Sequence, residues 1–204
     1  MTTSLRDRKR ARTRQALIDA ATELFARKGY DETTIADIAA AAEIGARTFF
    51  SYFASKEELL FPESDARIQA TIDAIATRTP DESPSDVLLR ALSDTGNTSD
   101  DLVSPLAALR LRLTQTVPAV RGRALQLQLD AQREIAQHLA TAFPDQLDHI
   151  SAAALTGAFI GAVTSALQAL LDEADQLTDA ATLQAAMQAA TDSALAPWRQ
   201  QLAR

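Results

Sequence analysis

The chain has 204 residues, is 47% hydrophobic and 23% charged, and carries a formal net charge of -7. It has no cysteine, which excludes disulfides, thiolate metal sites and cysteine nucleophiles, and only His138 and His149 offer imidazoles. No glycine-rich phosphate loop or metal-spaced pair of carboxylates occurs either, so an enzyme is disfavoured and neither a metal nor a cofactor is expected.

Alanine and leucine dominate, and only six glycines are present, a mix that favours helix. The charge is unevenly spread. Residues 1–60 hold 10 Lys+Arg against 9 Asp+Glu, whereas 61–204 hold 10 against 18. Arg6, Arg8, Lys9, Arg10, Arg12 and Arg14 face only Asp7 in the first 14 residues, a basic arm on an acidic protein. Such a local cluster attracts an anionic polymer whatever the net charge, because screening confines the field to about 10 Å.

In chain order, a first helix is expected over about 8–27, from the apolar stripe Leu17, Ala20, Ala21, Leu24 and Phe25, and Lys28-Gly29 stops it. A second begins at Thr33 or Thr34, with Thr34 and Asp37 spaced as a capping box. Glu43-Ile44-Gly45 is the turn to a third helix running from Ala46 to about Tyr52. Ser55 and Glu58 predict the start of a fourth, extending to about Thr79 with a kink at Pro62. Beyond a linker at 79–85, helices are expected at about 86–94, 101–116, 118–142, 147–172 and 179–202, separated at Gly96-Asn97, Val117-Pro118, Phe143-Pro144 and 172–178.

No run alternates with the period of a strand, so the fold class is all-α. A three-helix helix-turn-helix domain over 1–60, with its basic arm at 1–14, precedes a helical domain over 61–204. Nothing reads as a signal peptide. The weakly charged stretch 150–171 is long enough to span a membrane, but its small residues and Thr156, Ser165 and Gln168 suit a packed helix of a cytoplasmic protein better. No membrane partner is expected.

Two short helices joined by a glycine-containing turn, with a supporting helix before them, form the pattern that reads duplex DNA in the major groove. Ala46, Arg47 and Thr48 lead the third helix, and arginine is the commonest specific reader of guanine. Phe49 and Phe53, with Ile44, are spaced to pack back on the first two helices, and Phe49 is also counted in the expected DNA-contacting surface. Thr34, Tyr52 and Lys56 flank this helix as expected phosphate clamps, and Arg10 and Arg12 are expected to reach the flanking backbone or minor groove. A helical hairpin with no DNA role would show the same outline.

The wording of the segment is more specific than its outline. Thr33-Thr34-Ile35-Ala36-Asp37-Ile38-Ala39 is followed by Ala42-Glu43-Ile44-Gly45-Ala46-Arg47-Thr48-Phe49-Phe50-Ser51-Tyr52-Phe53-Ala54-Ser55-Lys56-Glu57-Glu58-Leu59. With Ala20-Ala21, Leu24-Phe25-Ala26 and Gly29-Tyr30 before it, residues 12–60 resemble the DNA-binding domain of the TetR family of one-component regulators. There are three departures. Glu43 stands where the family's turn has glycine, Gly45 where it has a serine cap, and Phe50 where most members have a tyrosine that bonds a phosphate.

The resemblance implies a sequence-specific transcription regulator that binds operator DNA as a homodimer through its last two helices. It also implies a C-terminal ligand-binding and dimerisation domain, and a repressor released by a small hydrophobic ligand. The small-residue seam Ala153, Ala154, Gly157, Ala158, Gly161 and Ala162 allows close helix contact and suits that interface. Leu109, Arg110, Leu113, Leu125, Leu129 and Phe159 are the expected ligand-lining set, although the leucines are equally readable as core. The stretch around Leu109–Leu113 and Thr114–Arg123 resembles the branch with acyl-coenzyme A-responsive members, which implies an acyl-type ligand. A DNA-binding dimer without any small-molecule ligand remains the alternative.

Overall fold

The structure, a computed structural model, describes residues 4–98, 104–172 and 180–202. Among the described residues there are nine α-helices, one 3-10 turn and no strand. The helices are α1 (Leu5–Lys28), α2 (Ile35–Ala41), α3 (Ala46–Phe49), α4 (Ser64–Ala76), α5 (Pro84–Thr98), α6 (Pro105–Thr116), α7 (Pro118–Ala142), α8 (His149–Asp172) and α9 (Ala180–Leu202), with the 3-10 turn at Glu57–Leu60. The all-α expectation holds.

The chain forms two compact units. One comprises residues 1–62 and 105–124, the other 63–104 and 125–204. A boundary at residue 60 alone therefore misses α6 and the start of α7, which pack with the N-terminal elements. Leu109, Leu113 and Val120 join the cluster around Leu17, Phe25, Ile38, Phe49, Leu59 and Leu60. Burying these side chains together removes their apolar area from water at about 25 cal/mol per Å².

The first unit is built from well-marked helix ends. Ser4 caps α1 by accepting from the Asp7 amide, so the expected basic arm is helical from Leu5 onward. Gly29, at φ 91°, lets the chain leave α1. Thr34 opens α2 with the expected reciprocal capping box, its Oγ1 accepting from the Asp37 amide at 3.1 Å and Asp37 accepting from the Thr34 amide at 3.0 Å. The fourth helix departs from expectation. Glu58 reaches back to the amide of Ala54 rather than Ser55, only a 3-10 turn forms, and α4 starts afresh beyond Pro62, which has no N–H to continue the ladder.

The second unit packs α4, α5, the later turns of α7, α8 and α9 around Ile75, Val87, Leu88, Leu139, Leu155 and Leu195. Ser83 caps α5, with Pro84 at its first position, where the missing N–H costs nothing. The expected separator at Gly96-Asn97 lies inside α5, which continues to Thr98. The expected separator at 172–178 lies almost wholly outside the described residues.

The turn between α2 and α3 carries the first departure from the family wording. The Glu43 amide donates to Ala40 O and the Ile44 amide to Ala39 O, the paired bonds of a Schellman motif, and Glu43 sits at φ 56°. A non-glycine residue there bears a local strain of order 1 kcal/mol. Glu43→Gly is expected to raise stability in thermal or urea unfolding by about 0.5–1 kcal/mol, the relieved strain exceeding the added unfolded-state entropy. A neutral or lower midpoint would contradict this account of the turn.

Candidate nucleic-acid interface

Helix α3 is a single turn, and its two sides differ in kind. Phe49 is 0% exposed and Phe53 4% exposed, with ring centroids 6.0 Å apart and both in the core cluster. Ala46, Arg47, Thr48, Phe50 and Ser51 are exposed. The turn continues past Phe49 through bonds from Ser51 to Thr48 O and from Phe53 to Phe49 O. Gly45 supplies no side-chain cap, so packing rather than capping holds the helix in place. Phe49 is therefore corrected from a DNA-contacting residue to an anchor, since a fully buried ring has no surface to offer a base.

Arg47 is exposed at the leading end of α3, and no hydrogen bond or ion pair ties it to another described residue. Its guanidinium keeps all its donors for an external acceptor. Thr34 is also exposed, with its hydroxyl held by the Asp37 carboxylate. Asp37 in turn receives the Thr34 amide and Lys28 Nζ at 2.9 Å, and these bonds hold its carboxyl down at about 2. The start of α2 is thereby tied to the end of α1 through the mildly acidic range, and the tie is lost only as the pH falls towards about 2.

The arginines of α1 divide into two sets. Arg10 donates to Ser51 O at 3.2 Å and stands 5.3 Å over the half-buried Tyr52 ring, and Arg14 donates to Pro62 O at 2.7 Å and stands 5.1 Å over Phe53. These two buttress the segment that follows α3. Arg12 is exposed and lines, with Leu5, Arg8 and Lys9, a groove against Ala42 and Glu43 of the turn before α3. Arg8, Lys9 and Arg14 belong to the basic arm expected over 1–14. Arg14 lies one helical turn beyond Arg10, within both the helix expected over about 8–27 and α1.

Lys56 differs from a free phosphate clamp. Its Nζ donates to Tyr30 O at 2.8 Å and Thr33 O at 3.2 Å and lies 4.0 Å from the Tyr30 ring centre. Tyr30 donates its hydroxyl to Glu57, and burial together with that carboxylate pushes the phenol well above its ordinary range. Burial would raise the Glu57 carboxyl, but hydrogen bonds from Ser55 and Tyr30 outweigh it and bring it below its usual value. Behind this cluster Arg123 pairs with Glu58 at 2.9 Å and Arg110 donates to Leu60 O.

The expected ligand-lining residues are divided between the two units. Leu109 and Leu113 are buried in the core of the first unit, beside Leu59 and Leu60, and Arg110 is bound to Leu60 there. Leu109 and Leu113 are corrected to core residues of that unit, and Arg110 is half-buried. Phe159 is buried in the core of the second unit. Leu125 and Leu129 are 53% and 59% exposed, and Leu129 lines an open groove with Ala136, His149 and Ala153. No group of three or more His, Cys, Asp or Glu suited to a metal occurs among the described residues.

Comparison with known proteins bears on this geometry. Residues 17–61, the span from the middle of α1 through the 3-10 turn, match the profile of bacterial regulatory proteins of the tetR family. The likeness to the TetR family is carried by this segment, about a fifth of the chain. It is 46% identical over 80 residues to the HTH-type transcriptional regulator TcmR of Streptomyces glaucescens, covering 39% of this chain and 35% of TcmR. The chain thus spans about a third of the length of that relative. MftR of Mycobacterium tuberculosis, named for mycofactocin biosynthesis regulation, is 28% identical over 177 residues, 85% of this chain and 87% of MftR. The transcriptional regulator FadR from Bacillus subtilis, solved in complex with stearoyl-CoA, shares the fold with a TM-score of 0.60 at 18% identity, over 88% of this chain and 98% of that one.

Because Lys56 is bonded within the domain, Lys56→Ala is expected to lower stability by about 1–3 kcal/mol through two unmet carbonyls, read as a drop in thermal midpoint. A phosphate clamp would behave otherwise. Loss of DNA affinity and salt sensitivity with an unchanged melt would contradict the structural role.

Proposed function

We infer that the chain is a sequence-specific, DNA-binding transcription regulator that acts as a homodimer on operator DNA, and that it represses until a small apolar ligand releases it. The observation that carries this reading is the two-sided α3, with Phe49 and Phe53 in the core and Arg47 exposed, in a segment with the TetR-family profile. Arg47 reads a guanine through paired donors to O6 and N7. Thr48 and Tyr52 contact phosphates beside it, Thr34 having both its donors held by Asp37, and Arg8, Lys9 and Arg12 extend the basic surface along the backbone.

A second copy of the chain is the partner. Helix α8 contains the one stretch, His149–Leu170, that is long and apolar enough to cross a membrane among the described residues, with a mean hydropathy of 1.7, yet only 22% of its most apolar window is buried in a single chain. Ile150 is 66% exposed, and a Cβ at Gly157 or Gly161 would meet nothing within 4 Å. Such a face of small residues suits close helix packing against a copy of itself with α9 alongside, which keeps the protein soluble in the cytoplasm. A two-fold dimer then presents two copies of α3 about 34–36 Å apart, or a multiple of it, to match half-sites.

For the ligand, the FadR structure with stearoyl-CoA supports an acyl-type molecule in the second unit, where Leu129 borders a groove. Binding acts by favouring a dimer geometry that no longer fits the operator, which requires different affinities in the two states. A dimeric regulator without a small-molecule ligand is the second reading. It is favoured by the burial of Leu109 and Leu113 in the core of the first unit and of Phe159 in the core of the second.

Selection of bound duplexes from a random pool tests the first claim. Arg47→Ala is expected to relax preference at one guanine per half-site and to weaken binding there by about 1–3 kcal/mol. An unchanged preference removes Arg47 from the reading role. Long-chain acyl-CoAs added to the selected complex are expected to release DNA in a mobility-shift assay and raise the thermal midpoint of the free protein. No effect in either assay selects the ligand-free reading.

A further inference from the structure

We propose that Phe50 is a second specificity-determining residue, reading the C5-methyl group of a thymine beside the base pair read by Arg47. The proposal deepens the operator-binding reading and rests on it. Phe50 is 59% exposed although it is fully apolar, and it follows directly on the buried Phe49. Its ring meets the Phe49 ring edge to face, with centroids 5.4 Å apart and planes at 81°. An immobile neighbour thus fixes the orientation of an exposed ring, at little further cost in side-chain entropy.

The chemistry selects the target. Phe50 has no hydroxyl, so it cannot bond a phosphate oxygen, and polar base edges reward it with nothing. In the major groove the one apolar group among the four bases is the thymine methyl, and apolar side chains are its readers. Arg47 and Phe50 are three residues apart, which places them on neighbouring positions of one helical face and about 4.5 Å apart along the axis. That is a little more than one base step of about 3.4 Å. The thymine therefore lies one or two base pairs from the guanine.

The test uses the full-length protein and the duplex it selects from a random pool. Each thymine is replaced singly by deoxyuridine, which removes only the methyl group. Binding of the wild type is expected to weaken about fourfold at one thymine per half-site, the equivalent of about 0.8 kcal/mol for one buried methyl. Phe50→Ala is expected to bind the thymine and deoxyuridine duplexes equally while keeping the guanine preference. Phe50→Leu, which stays apolar, is expected to keep part of the discrimination. Wild-type indifference to every methyl, or a Phe50→Ala protein that still separates thymine from deoxyuridine, overturns the proposal and leaves Arg47 untouched. If the wild type selects no sequence at all, the operator-binding reading falls and this one with it.

Discussion

Helix α3 is one turn long, lacks a side-chain cap, and follows a turn that strains Glu43. Nothing local makes such a helix stable, because a helix nucleus of this length fixes several dihedrals for one or two hydrogen bonds. What holds it is the insertion of Phe49 and Phe53 into the cluster built by α1, α2, the 3-10 turn, α6 and the start of α7. That packing sets which side chains face outward. With Phe49 inside, Arg47 and Phe50 are outside, and the side that meets a ligand is decided by the side that meets the core.

The surrounding polar contacts keep this arrangement from rotating. Arg10 and Arg14 grip Ser51 O and Pro62 O on either side of Phe53, and Lys56 grips Tyr30 O and Thr33 O across the domain. Each of these cations bonds a backbone carbonyl rather than a neighbouring carboxylate, so the ties persist whatever the protonation of nearby acids. Three cations of this segment, Arg10, Arg14 and Lys56, are thus spent on architecture. Arg6, Arg8, Lys9, Arg12 and Arg47 are exposed.

Much of this was legible in the sequence because local signals and tertiary packing agree. The capping box at Thr34 and Asp37, the stop at Gly29 and the apolar stripe of α1 each specify an element without reference to the rest of the chain. What was hidden depends on contacts between distant residues. A lysine beside a helix start reads as a phosphate clamp, and only the fold brings Tyr30 O and Thr33 O to Lys56. Leu109 and Leu113 carry the same signature whether they line a cavity or close a core, and their neighbours Leu59 and Leu60 lie about fifty residues earlier. The helix expected from Ser55 onward failed because Pro62 and the one-residue shift of the Glu58 contact outweigh a good capping pattern.

The central claim is that a rigidly anchored short helix offers its outward side chains to specific duplex DNA. Its most direct measurement is capture of sheared genomic fragments by the purified protein in low salt, followed by sequencing and footprinting of the retained DNA. A few sites with two-fold symmetry are predicted, protected on one face at two positions about one helical turn apart or a multiple of it. Retention of no duplex above background, or of fragments in mere proportion to their abundance, would contradict the account.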